Sequence, residues 1–307
     1  MQELTYIKKQ QRGLIEMLLA MVICGTIGLT VVLSGEEPSN LIFFRCLFGS
    51  LVLGFICFYK GLFKSTTYTK VFWVSSLIGG IALQLNWYLL FSAYNNASIG
   101  VATTVYNTQP FMMVFICALL FKEKITKSIL FWLLVSFIGL YLISSTKVGV
   151  IETYDVYIVG ILQALGAATL YAVASVAAKY LVGFSPMLIA FFQMALGILV
   201  FFPFAKFEIF STSNFQEITA IITLGVVHTG LMYILLYGAI QKLEAYKVAS
   251  LSFLYPVLAL LIDRFYFDVH LVVLQVVGVL LIFLGAAGIN LRGFIDTFLK
   301  DQSKSRS

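Results

Sequence analysis

The chain has 307 residues, 61% hydrophobic and only 11% charged, with a mean hydropathy of +0.98 and a formal net charge of +6. An exterior facing water carries more charge than this, so a soluble globular domain is excluded and a polytopic membrane protein is implied. The positive balance would suit a nucleic acid, but the basic residues fall in the links between hydrophobic segments, so the expected partner is a lipid bilayer.

In chain order, Met1–Arg12 is a short polar tail with Lys8, Lys9 and Arg12. It carries no cleavable signal pattern, and the first hydrophobic segment, Leu14–Leu33, is long enough to span and stay. Segments two to five are expected at Leu41–Tyr59, Val71–Tyr94, Ser98–Phe121 and Ser128–Ser145. A polar link, Thr146–Tyr157, leads to segments six to ten at Ile158–Leu181, Met187–Phe204, Ile218–Ile240, Ala245–Ile262 and Leu271–Ile289. The longest polar loop is Ala205–Glu217, and a polar tail, Asn290–Ser307, ends the chain. Each segment has roughly the ~20 residues that cross ~30 Å of hydrocarbon as a helix. Continuous apolar runs argue for helices over a barrel. The cysteines Cys24, Cys46, Cys57 and Cys117 all lie within segments without CxxC spacing and read as apolar packing residues.

The chain repeats itself. Ala97–Lys124 returns as Glu244–His270 at an offset of about 146, which pairs Pro110 with Pro256 and Gly139 with Gly285. The expected fold is therefore all-α and integral to the membrane: ten transmembrane helices as two five-helix repeats, residues 1–150 and 151–292, with a cytoplasmic tail at 293–307. Ten helices bring both termini to one side. Of the 20 Lys and Arg, only Lys147, Lys206 and Arg264 fall in links on the other side, so both termini are expected in the cytoplasm. Five helices per repeat is odd, so the second repeat is inverted, an arrangement typical of secondary transporters with a midplane site between the halves.

No HExxH, P-loop, strand-following glycine cradle or GxSxG is present, so neither an enzyme nor a cofactor is expected. The two histidines, His228 and His270, are too far apart for a metal site. Charges within a membrane are costly and mark function. Arg45, near the start of segment two, binds an anionic group or gates the outer mouth on one reading, and snorkels to the interface on the other. Glu16 reads as interfacial or proton-coupling, Asp263 as an ion-pair partner of Arg264 or a proton acceptor, and Lys179 as a snorkelling residue. His228, the deepest ionisable side chain, reads equally as a substrate hydrogen-bond partner or proton relay and as interhelical glue. The polar aromatic set is the best candidate for a substrate site: Gln84, Trp87 and Tyr88; Tyr106 and Gln109; Gln163 and Tyr171; Tyr233, in line with Thr229 and Tyr237; and Tyr255. Gln109 and Tyr255 directly precede prolines, and a proline frees a carbonyl that a cavity can use.

FFRCLFG around Arg45, NTQPFMMVFICALLFKEKIT around Pro110 and Glu123, and FLYPVLALLIDRFYFD around Pro256 together resemble the drug/metabolite transporter superfamily in its EamA-type ten-helix branch. The resemblance covers essentially the whole chain. The second copy departs from the pattern in having Val269 where Glu123 stands in the first, and Gln193 where Arg45 stands. The resemblance implies that segments three, four, eight and nine surround a central cavity. It further implies a secondary carrier of small amphipathic metabolites such as amino acids or their derivatives, in the exporting direction. The expected location is the cytoplasmic (inner) membrane, as a monomer or homodimer, with a proton as candidate coupling ion. The superfamily also moves phosphorylated and nucleotide-linked sugars, which need more cavity-facing cations than Arg45 alone. A receptor or intramembrane enzyme is the alternative outside transport.

Overall fold

The hydrophobic segments become helices because nothing else satisfies the backbone of a lipid-embedded chain. A computed structural model describes residues 2–97, 99–145, 154–266 and 272–304, and among these residues it contains helices and no strand. Ten helices are long and apolar enough to cross a membrane: α1 (Tyr6–Ser34), α2 (Pro38–Tyr59), α3 (Lys70–Tyr94), α4 (Val101–Phe121), α5 (Lys127–Ser144), α6 (Val156–Tyr180), α7 (Pro186–Phe204), α8 (Phe215–Ile240), α9 (Ala245–Tyr266) and α10 (Val273–Asn290). They coincide with the ten expected segments. The largest difference is at α1, which starts before Leu14 because Arg12 continues the helix and pairs with Glu16 one turn on, Nε to Oε1 3.0 Å.

Local chemistry sets the ends. Proline opens α2 and α7, where a missing N–H costs nothing. Thr69 and Thr126 accept backbone N–H bonds at the starts of α3 and α5, and Asn214 with Glu217 makes a reciprocal capping box at α8. Gly35 (φ 64°) ends α1 in the left-handed region that favours glycine. The expected polar loop 205–217 is partly folded. Phe207 and Phe210 pack edge-on against Phe43 and Phe44, and the Lys206 backbone N–H donates to Asn40 Oδ1 at 2.9 Å.

The two repeats interlace. The most extensive contacts pair α3 with α6, α5 with α10, α1 with α8, α2 with α7 and α4 with α6, and every pair takes one helix from each repeat. With little hydrophobic drive between helices in lipid, close approach has to come from small residues. Between α5 and α10, a Cβ added at Gly139 would lie 2.5 Å from the Gly278 carbonyl oxygen, and one at Gly278 2.5 Å from that of Gly139. Outward faces carry Phe55, Leu199 and Leu280, all largely exposed, as acyl chains require.

Ten spans place the start of α1 and the end of α10 at one face, here the terminal face. The other is the opposite face.

Candidate substrate cavity

Four helices lose regularity near mid-span. α4 breaks between Tyr106 and Gln109, and α9 breaks at Phe253. The two breaks are repeat-equivalent, each three residues before its proline, as the missing N–H and ring of Pro110 and Pro256 dictate. They are also joined: Asn107 Nδ2 donates to the Tyr255 hydroxyl at 2.9 Å and to the Thr103 carbonyl at 2.8 Å. α1 breaks at Thr26, whose hydroxyl donates to the Ile23 carbonyl at 2.8 Å. α8 widens into a π-helical turn at Val226–Leu231.

Around these breaks lies a cavity of about 390 Å³, within the range that holds a metabolite-sized ligand. Its walls come from α1, α2, α3, α4, α6, α8 and α9. The lining runs from mid-span to the last turns of α1 and α3, at Val31, Val32 and Tyr94, so the cavity extends toward the opposite face. Gly28 on its α1 wall has open space where a side chain would stand.

Arg45 supplies the charge. It is 2% exposed, so it does not snorkel to the interface. Its guanidinium sits 4.1 Å from the Trp87 ring centroid, and Nε donates to Thr229 Oγ1 at 3.2 Å. Among the described residues no carboxylate pairs with it. Thr229 is turned to receive it because its own hydroxyl donates to the Leu224 carbonyl at 2.8 Å, five residues back across the π turn. The close seat of α2 on this turn needs Gly49, where an added Cβ would lie 2.7 Å from Thr229 Cγ2. Opposite in chemistry, Gln109 is 4% exposed, lines the cavity and has an Oε1 acceptor without a hydrogen-bond partner. Between these poles stand the rings of Trp87, Tyr106, Tyr171, Tyr233 and Tyr255, with Tyr106 edge-on to Tyr171 and Trp87 edge-on to Tyr233. The cavity thus offers one strong donor, one free acceptor and aromatic walls.

Of the expected site residues, Arg45, Trp87, Tyr106, Gln109, Tyr171, Tyr233 and Tyr255 are brought together on the cavity wall. The others lie elsewhere. Gln84 is buried between helices, donating to the Gln193 carbonyl at 3.2 Å and accepting from Cys46 Sγ at 3.4 Å. Tyr88 is 45% exposed on the outer face of α3, against Phe201. Gln163 accepts from Asn96 Nδ2 at 2.8 Å. His228 sits behind the wall in the π turn, with Nε2 2.7 Å from Thr26 Oγ1 and Nδ1 3.3 Å from the Thr223 carbonyl. A neutral ring and one hydroxyl carry two protons, so only two of the three bonds among Thr223, His228, Thr26 and Ile23 form at once. Glu16 lies at the terminal face, paired with Arg12 and Lys242. The Asp263 side chain lies outside the described residues. Sequence reading missed the α1 wall, Met21, Cys24, Ile27 and Val31, and also Ser252. The small pair Cys24 and Gly28, one turn apart, is the signal that could have pointed there.

Known proteins resemble the chain throughout its length. The profile of the EamA-like transporter family matches residues 11–145 and again 158–291. The uncharacterized transporter YxxF of Bacillus subtilis (strain 168) is 28% identical over 280 residues, 91% of this chain and 90% of its own. A crystal structure of a protein 21% identical superposes with TM-score 0.79 over 92% of this chain and 97% of that one, a likeness of fold.

Proposed function

Because the chain belongs to the EamA-like transporter family, and is thus a multi-pass membrane transporter with a small-molecule substrate, we propose that it is a secondary carrier of small amphipathic metabolites bearing an anionic group, amino acids or their derivatives among them. It works by alternating access to the central cavity. Transport runs toward export, the direction that the resemblance to the drug/metabolite transporter superfamily implies. The termini face the cytoplasm, and the membrane is the cytoplasmic one, as the basic residues favour.

The observation that carries the reading is Arg45. A buried guanidinium that meets no carboxylate among the described residues is costly unless a ligand completes it, and its planar fork suits a carboxylate. Gln109 Oε1 is the natural acceptor for a donor at the other end of the substrate, and the five rings hold its apolar body. A single lining cation favours a singly charged group over a phosphorylated sugar. Gln84 and His228 act from behind the wall, by fixing α2, α7 and α1 around it.

The test compares metabolites inside cells and in spent medium for strains lacking and overproducing the protein. A compound enriched in the medium and depleted inside names the substrate. Arg45→Gln is expected to lower its flux roughly tenfold or more, the scale of one lost charge-assisted contact, with the amount of folded protein by size exclusion unchanged. Undiminished flux through Arg45→Gln would sink the reading.

A further inference from the structure

The terminal face is closed by contacts that cross between the repeats. Glu123, just past α4, places Oε1 2.8 Å from Lys179 Nζ on α6, and its Oε2 accepts the Ala245 backbone N–H at 2.8 Å, at the start of α9. Within the second repeat, Lys179 also donates to the Leu243 carbonyl at 2.7 Å. Glu16 on α1 lies 2.5 Å from Lys242 Nζ beyond α8. Gln10 donates to the Lys242 carbonyl at 2.9 Å and accepts from Lys247 at 3.0 Å. Lys179 is therefore not a residue reaching for lipid headgroups. Its side chain and that of Glu123 are 11% and 16% exposed.

Three further observations bear on what these contacts do. The cavity extends the other way, toward the opposite face, and along α8 buried Tyr237 and Ile240 follow the last lining residue, Leu236, on the way to Lys242. Each latched helix, α1, α4, α6, α8 and α9, is also a cavity wall. Three of the five are broken at cavity level, at Thr26, at Asn107 and Thr108 and at Phe253, and α8 widens through Val226–Leu231, just before its wall residues. The stretches that carry Glu16 and Glu123 can therefore swing away from their partners without carrying the other half of the helix along.

Resting on the carrier reading above, we infer that the Glu123–Lys179 and Glu16–Lys242 pairs are the closed gate of the terminal face, broken and remade in every cycle. Ion pairs suit this task. Partly buried, they hold the repeats together, and once the gap admits water each charge is hydrated and the contact is worth little. An apolar seal would instead become costlier as it opened.

The native Cys24 reports the outcome, since it lines the cavity and is half-buried whereas Cys46, Cys57 and Cys117 are buried. The full-length protein with those three changed to alanine is sealed into liposomes. A membrane-impermeant sulfonated maleimide is applied to one side at a time, and protease access to an N-terminal tag marks the terminal face. Gly28→Cys in a Cys24→Ala background is a second reporter on the same wall. The parent should label quickly from the opposite face and slowly from the terminal face. Glu123→Gln and Lys179→Gln should each raise terminal-face labelling roughly tenfold, between the worth of an exposed and a buried pair. The double variant should add little, because both changes remove one contact. Labelling from both faces in the parent, with terminal-face rates unmoved by either variant, overturns the gate and leaves the carrier standing. Labelling from one face alone in the parent and in all variants overturns alternating access, and the gate with it.

Discussion

At Glu244, between α8 and α9, two influences oppose each other in one carboxyl. Burial raises its pKa, but hydrogen bonds from Lys247 and Tyr6 prevail and hold it below the usual carboxylate range. The Tyr6 hydroxyl donates to Oε1 at 2.8 Å, and Lys247 Nζ lies 2.9 Å from Oε2. A depressed folded pKa contributes stability above the unfolded value of about 4.3, lost as pH falls through the folded value. Glu244→Gln is therefore expected to melt below the parent at pH 7, with the difference shrinking as pH drops under about 4, in thermal scans of detergent-solubilised protein. Single residues are legible in the sequence as far as their cost goes. Arg45 is visible as a charge in lipid, and the tyrosines and Gln109 as polar groups in a helix. Which neighbour each one meets is not. Trp87 and Thr229, which hold Arg45, stand 42 and 184 residues away in the chain. The same distance hides the partner of Lys179, which alone looks like a cation bound for the interface.

At the scale of the helix, proline positions are readable and the breaks at 107–108 and 253 follow from them. The break at Thr26 and the π turn of α8 are not, because no residue there forbids an ordinary helix. They go with hydrogen bonds of Thr26, His228 and Thr229, two of which, to His228 from Thr26 and to Thr229 from Arg45, join different helices. Close approach is partly readable too: Gly139 and Gly285 repeat at about 146 residues, and both lie in the α5–α10 contact. Gly139→Ala would push a methyl against the Gly278 carbonyl, 2.5 Å from where its Cβ would sit. It should cost about 1–3 kcal/mol, read as a lower midpoint in thermal unfolding. Gly28→Ala, where nothing lies within 4 Å, should leave the midpoint unchanged or raise it by the greater helix propensity of alanine, up to ~1 kcal/mol.

Over the whole molecule, hydropathy and the duplication were enough to count the spans and divide them into five and five. They say nothing of how the fives meet, since the pairing of α3 with α6 or α1 with α8 depends on surfaces that appear only when both repeats are present. Because every principal helix pair crosses between repeats, neither half has its partners alone. Residues 1–150 or 151–307 expressed separately should not yield a monodisperse species. Expressed together, they should co-purify as one peak in size-exclusion chromatography.

The solitary guanidinium over Trp87 has an electrical consequence. A cavity in contact with one aqueous phase takes the potential of that phase, so the transmembrane voltage falls mainly across whichever barrier is shut. When the barrier changes sides, the cation of an empty site crosses most of the field without moving far in space, at about 2.3 kcal/mol per 100 mV. With a cargo of net charge −1 bound, the site is neutral and the same step is almost indifferent to voltage, whereas a zwitterion would leave the site positive. Membrane potential would therefore act on the return of the empty protein, and a cell could set turnover through its resting voltage without altering affinity for the cargo.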